Sequence, residues 1–507
     1  MMNKKLKKFQ TVPADFDKPH CNCGIVGVFN HEDASIQAYY ALHALQHRGQ
    51  EAAGITTFYD DDQGRKRFAY TRGMGLVLDV FTPKTLTEVL HGDMAIAHNR
   101  YSTTGSSNRA NIQPFQMRYN SGILSVAHNG NLTNTKTLWK KLQDDGAIFQ
   151  TTSDSELFLH LIARSKKTTV IEKIREALQT ARGSYSVVIL TEDSLIAARD
   201  PRGFRPLNIG KKKNAKGEDA YFVASETCSF DMLDAEYVRT VNHNEIVVMN
   251  RKTVEAGEMQ TLKIDEVTPE ARHCIFEYIY FSRPDSKIFG HNVDKVRRKL
   301  GKNLAVESPV LTKEKNGKVT VIPVPDSGNT ATLGFSRMNQ KYHDQETAFE
   351  IGFIRSHYVG RTFIAPGQDN RELKVKVKFN TVNGVLENRN IVVIDDSIVR
   401  GTTSKSLINL VKKAGPKAVH FRITSPQIKF PCHYGMDFPS KEELIANHYN
   451  SEEEIAEAIG VDSLHYLSLE ALLESVPNDP GTGYCTACFD GVYPVPVDEG
   501  LDKFVQE

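Results

Sequence analysis

Val392-Val-Ile-Asp-Asp-Ser-Ile-Val-Arg-Gly-Thr-Thr-Ser404 decides the architecture of the C-terminal half of the chain. Asn390-Ile-Val-Val-Ile394 is a short, continuous apolar run followed by a polar, glycine-bearing turn and then a helical pattern. That order marks a buried parallel strand feeding a helix. The helix predicted over about 403–414 gathers Leu407, Ile408, Leu410, Val411 and Ala414 on one side, carries Lys412 and Lys413 in its last turn and stops at Gly415-Pro416. The strand delivers Asp395 and Asp396 to the carboxyl end of the sheet, where open α/β folds bind ligands. The next residues open the helix, so the run from Ser397 through Arg400, Gly401, Thr402 and Thr403 can offer N–H groups and hydroxyls to a phosphate, with Gly401 allowing close approach. Two adjacent carboxylates make sense beside a cation or vicinal hydroxyls. Read alone, the Asp-Asp-Ser step is also an acidic helix-capping pair.

A second apolar run, Val319-Thr-Val-Ile-Pro-Val-Pro325, leads into Asp326-Ser327-Gly328-Asn329-Thr330, which reads as a second anion loop or as a plain turn. Between the two runs, Tyr358 to Gln368, continuing through Arg371, Lys374, Lys376 and Lys378, is basic and Gly/Pro-punctuated, a solvated loop whose cations, Arg361 among them, could close over an anion. Before residue 265 the grammar differs. Short β-branched runs at 24–29, 94–97, 123–127, 186–190 and 246–249 enclose helical patterns at 157–164 and 171–181, which predicts a layered α+β domain. Residues 1 to about 20 are polar, basic and without period, and read as a disordered leader.

Composition bounds the function. The 507 residues allow two to four domains, and 63 Lys+Arg against 62 Asp+Glu leave a charge of +1, which disfavours a nucleic-acid partner held by bulk charge. Nothing approaches 18 consecutive apolar residues, so no membrane span is predicted. Seven cysteines are too sparse and too odd for a disulfide scaffold, which points to a reducing, cytoplasmic compartment.

Five motifs occur in order: Cys23-Gly-Ile-Val-Gly-Val-Phe29, Leu45-Gln-His-Arg-Gly-Gln-Glu-Ala-Ala-Gly54, His98-Asn-Arg-Tyr-Ser-Thr-Thr-Gly105, Ala127-His-Asn-Gly-Asn-Leu132 and Thr152-Ser-Asp-Ser-Glu156. This series resembles the class II glutamine amidotransferases, which are N-terminal nucleophile hydrolases. The resemblance implies a four-layer αββα domain in which Cys23 becomes residue one and its own α-amino group acts as base. It further implies that the Asn129 side chain and the Gly130 N–H form the oxyanion hole, that Arg100 holds the glutamine α-carboxylate, and that Asp154 holds the α-ammonium, with Thr103 and Gly105 in the surrounding turn. Outside such a series Arg100 would read as a salt-bridge partner and Asp154 as a helix cap. His43, His47, His98 and His128 show no metal-binding spacing and read as structural. Cys21 competes as nucleophile, yet only Cys23 heads the Cys-Gly-Ile-Val-Gly pattern.

The run through Arg-Gly-Thr-Thr-Ser404 is similar to the phosphoribosyl pyrophosphate (PRPP) motif of type I phosphoribosyltransferases, and the loop at Asp326 and Ser327 to their pyrophosphate loop. Both halves together resemble the glutamine PRPP amidotransferases. That resemblance implies glutamine hydrolysis, transfer of the ammonia to PRPP to give 5-phosphoribosylamine, and entry into purine biosynthesis. It implies Mg²⁺ near Ser327, Asp395 and Asp396, purine nucleotides as feedback inhibitors, and a homo-oligomer, tetramer or dimer. The implied organisation is a leader at 1–22, a glutaminase domain at 23–265 and a phosphoribosyltransferase domain at 266–507. By spacing, Cys274, Cys432, Cys485 and Cys488 form a four-thiolate site open to zinc or iron, or remain free thiols. The resemblance favours a 4Fe–4S cluster, because family members with a leader carry four such cysteines. Cys228 lies outside that set and reads as a small buried hydrophobe. Arg355-Ser-His357 departs from the family's usual Lys-Asn-Arg. Other class II amidotransferases carry no such PRPP run, and a PRPP-sensing regulator would be expected to lack the nucleophile.

The 22 residues before Cys23 hold five Lys and two Asp, so their removal leaves 485 residues and takes the charge from +1 to −2. N-terminal sequencing of the active protein should start at Cys23, and any other start contradicts this reading.

Overall fold

Alternation along Gly24-Ile-Val-Gly-Val-Phe29 sets the layering of the first half. Val26 and Val28 point to one side of their strand, into a core with Ala34, Ala38, Ala41 and Leu42 of the helix Ala34–Ala44. Ile25 and Phe29 point to the other side, into a core shared with Val188, Leu195 and Val247 of a second sheet. A period of two along one strand thus feeds two different cores. In the computed structural model the described residues are 23–101, 108–312, 317–356, 378–438 and 440–500.

The first sheet has seven strands in the order Glu236–Thr240, Asn208–Lys213, Asp219–Ala224, Gly24–Phe29, Met94–Arg100, Ala52–Asp60, Lys66–Met74, all antiparallel. The second has six, in the order Gln260–Lys263, Glu245–Asn250, Ser194–Arg199, Gly183–Leu190, Gly122–Leu132, Phe115–Tyr119, again antiparallel. Helices Thr135–Asp144, Glu156–Arg164 and Val170–Thr180 cover its outer face with Leu138, Phe158, Ile162, Ile174 and Leu178. Thr169 and Glu172 cap the last of these reciprocally. The result is the expected helix–sheet–sheet–helix stack.

The other compact unit is built on five parallel strands in the order Thr347–Phe349, Val319–Pro323, Asn390–Asp395, Ala418–Ile423, Ser463–Tyr466. Relative to chain order this is 2-1-3-4-5, so the winding reverses between the strands ending at Pro323 and Asp395. At such a reversal the loops at the carboxyl ends diverge and leave a crevice. Both predicted anion loops leave from those two strand ends. The helix after the second strand starts at Thr402, not directly after the carboxylates: Ser397–Arg400 form a loop that buries Ile398 and Val399. Gly401 at the helix cap has φ +80°, which favours glycine, and a Cβ there would also have to displace the tip of Ile445, whose Cδ1 would stand 2.3 Å away.

The compact units do not divide at residue 265. The glutaminase-like unit holds 23–297 together with 430–438 and 476–500, and the parallel-sheet unit holds 298–429 and 440–475. The physical reason is that Glu277 is buried against Arg48, and Cys274 and Cys485 pair in one short parallel ladder. No helix among the described residues is long and apolar enough to cross a membrane.

At Gly27 the two sheets approach closely, since a Cβ there would meet Val188 Cγ1 at 2.8 Å and Leu195 Cδ1 at 2.9 Å. Gly27→Val should cost about 1–3 kcal/mol through overpacking, measured by denaturant unfolding. An unchanged midpoint contradicts the sheet-to-sheet contact.

Candidate active sites

Cys23 lies at the head of a central strand, and its neighbours come from three of the predicted motifs. Its thiol is buried, with Sγ 3.6 Å from the Tyr101 carbonyl oxygen. Burial pushes the thiol pKa up; the Arg100 guanidinium opposes this, while Asp154 and Glu51 add to it. The thiolate is therefore scarce without a base. The Asn99 side chain accepts from the Gly24 N–H at 2.6 Å and donates to the Leu45 carbonyl at 2.6 Å, clamping the strand start to the Leu45-Gln-His-Arg motif. Arg48 Nε donates to the Cys23 carbonyl at 3.4 Å.

Asn129 is fully buried, and neither its Oδ1 nor its Nδ2 has a hydrogen-bond partner among the described residues. Leaving such a group unsatisfied costs about 1–3 kcal/mol, so the fold tolerates a loss here that a ligand oxygen could recover. Gly130 follows with φ +149°, and a Cβ there would fall 2.1 Å from the Ser184 carbonyl oxygen, so only glycine fits. Arg100 is buried, with Nη1 donating to the Asn111 carbonyl at 2.8 Å. Asp154 is buried as well, and its Oδ2 accepts from the Leu132 N–H at 2.9 Å. It does not act as the side-chain cap of helix Glu156–Arg164. Thr103 and Gly105 lie outside the described residues.

In the parallel-sheet unit Asp395, Asp396 and Ser397 are almost fully buried. Asp396 joins the two loops: Oδ1 accepts from Ser327 Oγ and Oδ2 from Ser397 Oγ, each at 2.5 Å. Asp395 Oδ1 accepts from the Asp396 N–H at 2.9 Å, which fixes the angle between the carboxylates. Gly328 lets the first loop press on the strand end, where a Cβ would lie 2.6 Å from the Ile394 carbonyl oxygen. Asp326 pairs with Arg355 at 2.5 Å, and Arg400 with Glu443 at 2.9 Å. Thr402 is exposed and Thr403 buried at the helix start. Arg361 lies outside the described residues.

The four remaining site cysteines gather in the glutaminase-like unit. Cys274 and Cys485 are directly opposite in a short parallel strand pair. Cys432 Sγ accepts from the Tyr434 N–H at 3.3 Å, and the Cys488 carbonyl accepts from the Phe430 N–H at 3.1 Å. Burial pushes all four thiols up, Cys274 to about 11, and the field of the neighbouring thiols acts in the same direction on Cys485 and Cys488.

Residues 98–231 match a glutamine amidotransferase domain family. Over 95% of its length the chain is 47% identical to the chloroplastic amidophosphoribosyltransferase of Vigna aconitifolia, covering 93% of that protein. The solved glutamine PRPP amidotransferase of Bacillus subtilis, complexed with ADP and GMP, superposes with a TM-score of 0.83 at 42% identity, covering 94% of this chain and 98% of that one. A structure described as the allosteric regulatory enzyme of purine biosynthesis superposes with a TM-score of 0.85 at 41% identity, covering 96% and 99%. The chain belongs to the amidophosphoribosyltransferase family.

Within that family's layout, sequence reasoning missed several residues that touch the reacting elements. Asn99, Arg48 and Glu51 all lie inside motifs already quoted, and their polarity next to a strand start was the available signal. Glu277 had no such signal, because its partners Arg48 and Arg205 are more than 70 positions away.

The unsatisfied Asn129 amide gives a separable test. Asn129→Ala should leave stability unchanged or raise it by up to about 1–3 kcal/mol, read from the denaturation midpoint. A loss of stability contradicts the orphaned amide.

Proposed function

We propose that this member of the amidophosphoribosyltransferase family hydrolyses glutamine at Cys23 and transfers the released ammonia to PRPP at the Asp395–Thr403 loop. The observation that carries this reading is the Asn129 amide, buried and without a partner among the described residues, next to Gly130, a position only glycine fits. Cys23 Sγ attacks the carboxamide carbon and its proton passes to the α-amine that leader removal uncovers. That amine, with an ordinary pKa near 7.7–8.0, suits the task at neutral pH. The oxyanion that develops is met by Asn129 Nδ2 and the Gly130 N–H, which need no reorganisation. Collapse breaks the C–N bond, the amine returns the proton, and ammonia leaves. Water then cleaves the thioester to glutamate. Arg100 and Asp154 hold the α-carboxylate and α-ammonium.

Ser397 to Thr403, with Arg400, Gly401 and Thr402, grip the 5-phosphate. Asp395 and Asp396 lie by the ribose hydroxyls, and Asp326, Ser327 and Arg361 by the pyrophosphate. The ammonia nitrogen bonds to C1 as the C1–O bond to pyrophosphate breaks. Ser327, Asp395 and Asp396 supply only oxygen donors, which fits Mg²⁺. Among the described residues no three acidic, His or Cys donors converge at this loop within 4.8 Å, so substrate oxygens and water would complete the shell. When bound, the cation neutralises charge on the leaving pyrophosphate.

The four cysteines fit a 4Fe–4S cluster better than zinc. A tetrahedral zinc with bonds of about 2.3 Å holds its sulfurs roughly 3.8 Å apart. Here no three of the four sulfurs lie within 4.8 Å of one another. A multi-iron cluster spreads its ligands more widely, and sulfur-only donors suit it. Cytoplasmic placement, a dimer or tetramer, and purine nucleotides as feedback inhibitors complete the proposal; the B. subtilis relative was solved with ADP and GMP.

The test is PRPP-dependent formation of glutamate and 5-phosphoribosylamine. Cys23→Ser should abolish the glutamine-dependent reaction and keep the ammonia-dependent one. Loss of both, or of neither, contradicts the division of labour.

A further inference from the structure

Arg205 is fully buried, and its guanidinium lies between two features the mechanism treats separately. Nη2 donates to the Tyr434 carbonyl at 2.8 Å, and Nη1 lies 3.2 Å from Glu277 Oε1 and 3.6 Å from Met436 Sδ. Nε has no hydrogen-bond partner among the described residues. Tyr434 is the residue whose N–H donates to Cys432 Sγ, and the Cys274 N–H donates to the carbonyl of Phe204, the residue before Arg205. The guanidinium is thus tied to the backbone segments that carry two of the four cysteines.

On its other side Arg205 shares Glu277 with Arg48. Arg48 grips that carboxylate with a fork, Nη2 to Oε1 at 2.7 Å and Nη1 to Oε2 at 3.0 Å, and reaches Glu226 at 2.5 Å. All four side chains are fully buried. Arg48 Nε meets the Cys23 carbonyl at 3.4 Å. A continuous series of charged contacts therefore runs from the four-cysteine segments to the backbone of the nucleophile. The two carboxylates and two guanidiniums balance by themselves. Four thiolates around a cluster core of charge about +2 add net negative charge, and a buried charge of that kind needs a nearby cation.

We propose that Arg205 is a positioning residue that compensates the charge of the four-cysteine site and, through Glu277 and Arg48, holds the Cys23 carbonyl in place. The inference rests on the reading of those cysteines as a cluster site. Loss of the cluster lets Arg205 swing fully to Glu277, which loosens the fork on Arg48 and the Cys23 backbone. Arg205 touches no substrate, so the effect falls on kcat for glutamine hydrolysis and not on KM.

The experiment compares the wild-type holoenzyme with Arg205→Met and Arg205→Lys, all prepared without oxygen. Iron and sulfide per chain, the rate at which the cluster absorbance fades in air, and glutaminase kcat and KM are measured. Arg205→Met should hold less iron and lose it about 10–100-fold faster, as when an outer partner of a metal site is removed. Arg205→Lys keeps the charge and should keep the iron, but a single ammonium cannot span Glu277 and Tyr434, so kcat should fall about tenfold at unchanged KM. If Arg205→Met does not fold, the Lys variant decides alone. Iron-loaded wild type with unaffected variants, or a change in KM alone, overturns the proposal and leaves the cluster reading standing. A wild-type protein free of iron overturns both.

Discussion

Four fully buried charged side chains, Arg48, Glu226, Glu277 and Arg205, form the interaction on which the glutaminase-like unit depends. Removing one partner from such a group leaves an uncompensated buried charge, at a cost of about 3–5 kcal/mol. The network therefore specifies one arrangement of segments that are remote in sequence. His47 and Ser286 add to Glu226 at 2.8 and 2.7 Å, and Ser282 to Glu277 at 2.8 Å, so that the carboxylates are well satisfied. Against the upward push of burial, His47 and Arg48 hold the Glu226 pKa down and Arg48 and Arg205 that of Glu277, so both stay ionised. Through this group the segment around 277 joins the first unit, which is why a boundary drawn at 265 does not separate the compact units.

The two sites handle buried polar groups in opposite ways. Around Asp396 every carboxylate oxygen accepts a hydroxyl, so the two anion loops are held to each other before any ligand arrives. At Asn129 the amide has no partner among the described residues, and the proposed reading gives it a substrate oxygen. Rigid loops suit a ligand held by many contacts, whereas an unsatisfied donor suits a charge that exists only during reaction.

Local sequence made much of this legible. Strand and helix periods placed the apolar runs at 24–29 and 390–394 correctly, and the switch-point loops followed from strand ends at Pro323 and Asp395. The motif series named Cys23, Arg100, Asn129, Gly130 and Asp154, and the chain brings Cys23, Arg100 and Asp154 within electrostatic reach of one another. The helix start, expected near 403, falls at Thr402, and Ile398 and Val399 are buried in the loop before it. The charge network was not legible in this way. Arg48, Arg205 and Glu277 are ordinary surface residue types until folding brings them together, and no spacing rule links them.

The central claim is that Cys23 is the nucleophile. It is tested most directly by treating the active protein with a glutamine analogue bearing an electrophilic diazoketone and mapping the adduct by mass spectrometry. One adduct, on Cys23 and on no other cysteine, with glutaminase lost and ammonia-dependent transfer retained, is the predicted result. An adduct on another cysteine, or full inactivation with Cys23 unmodified, would contradict it.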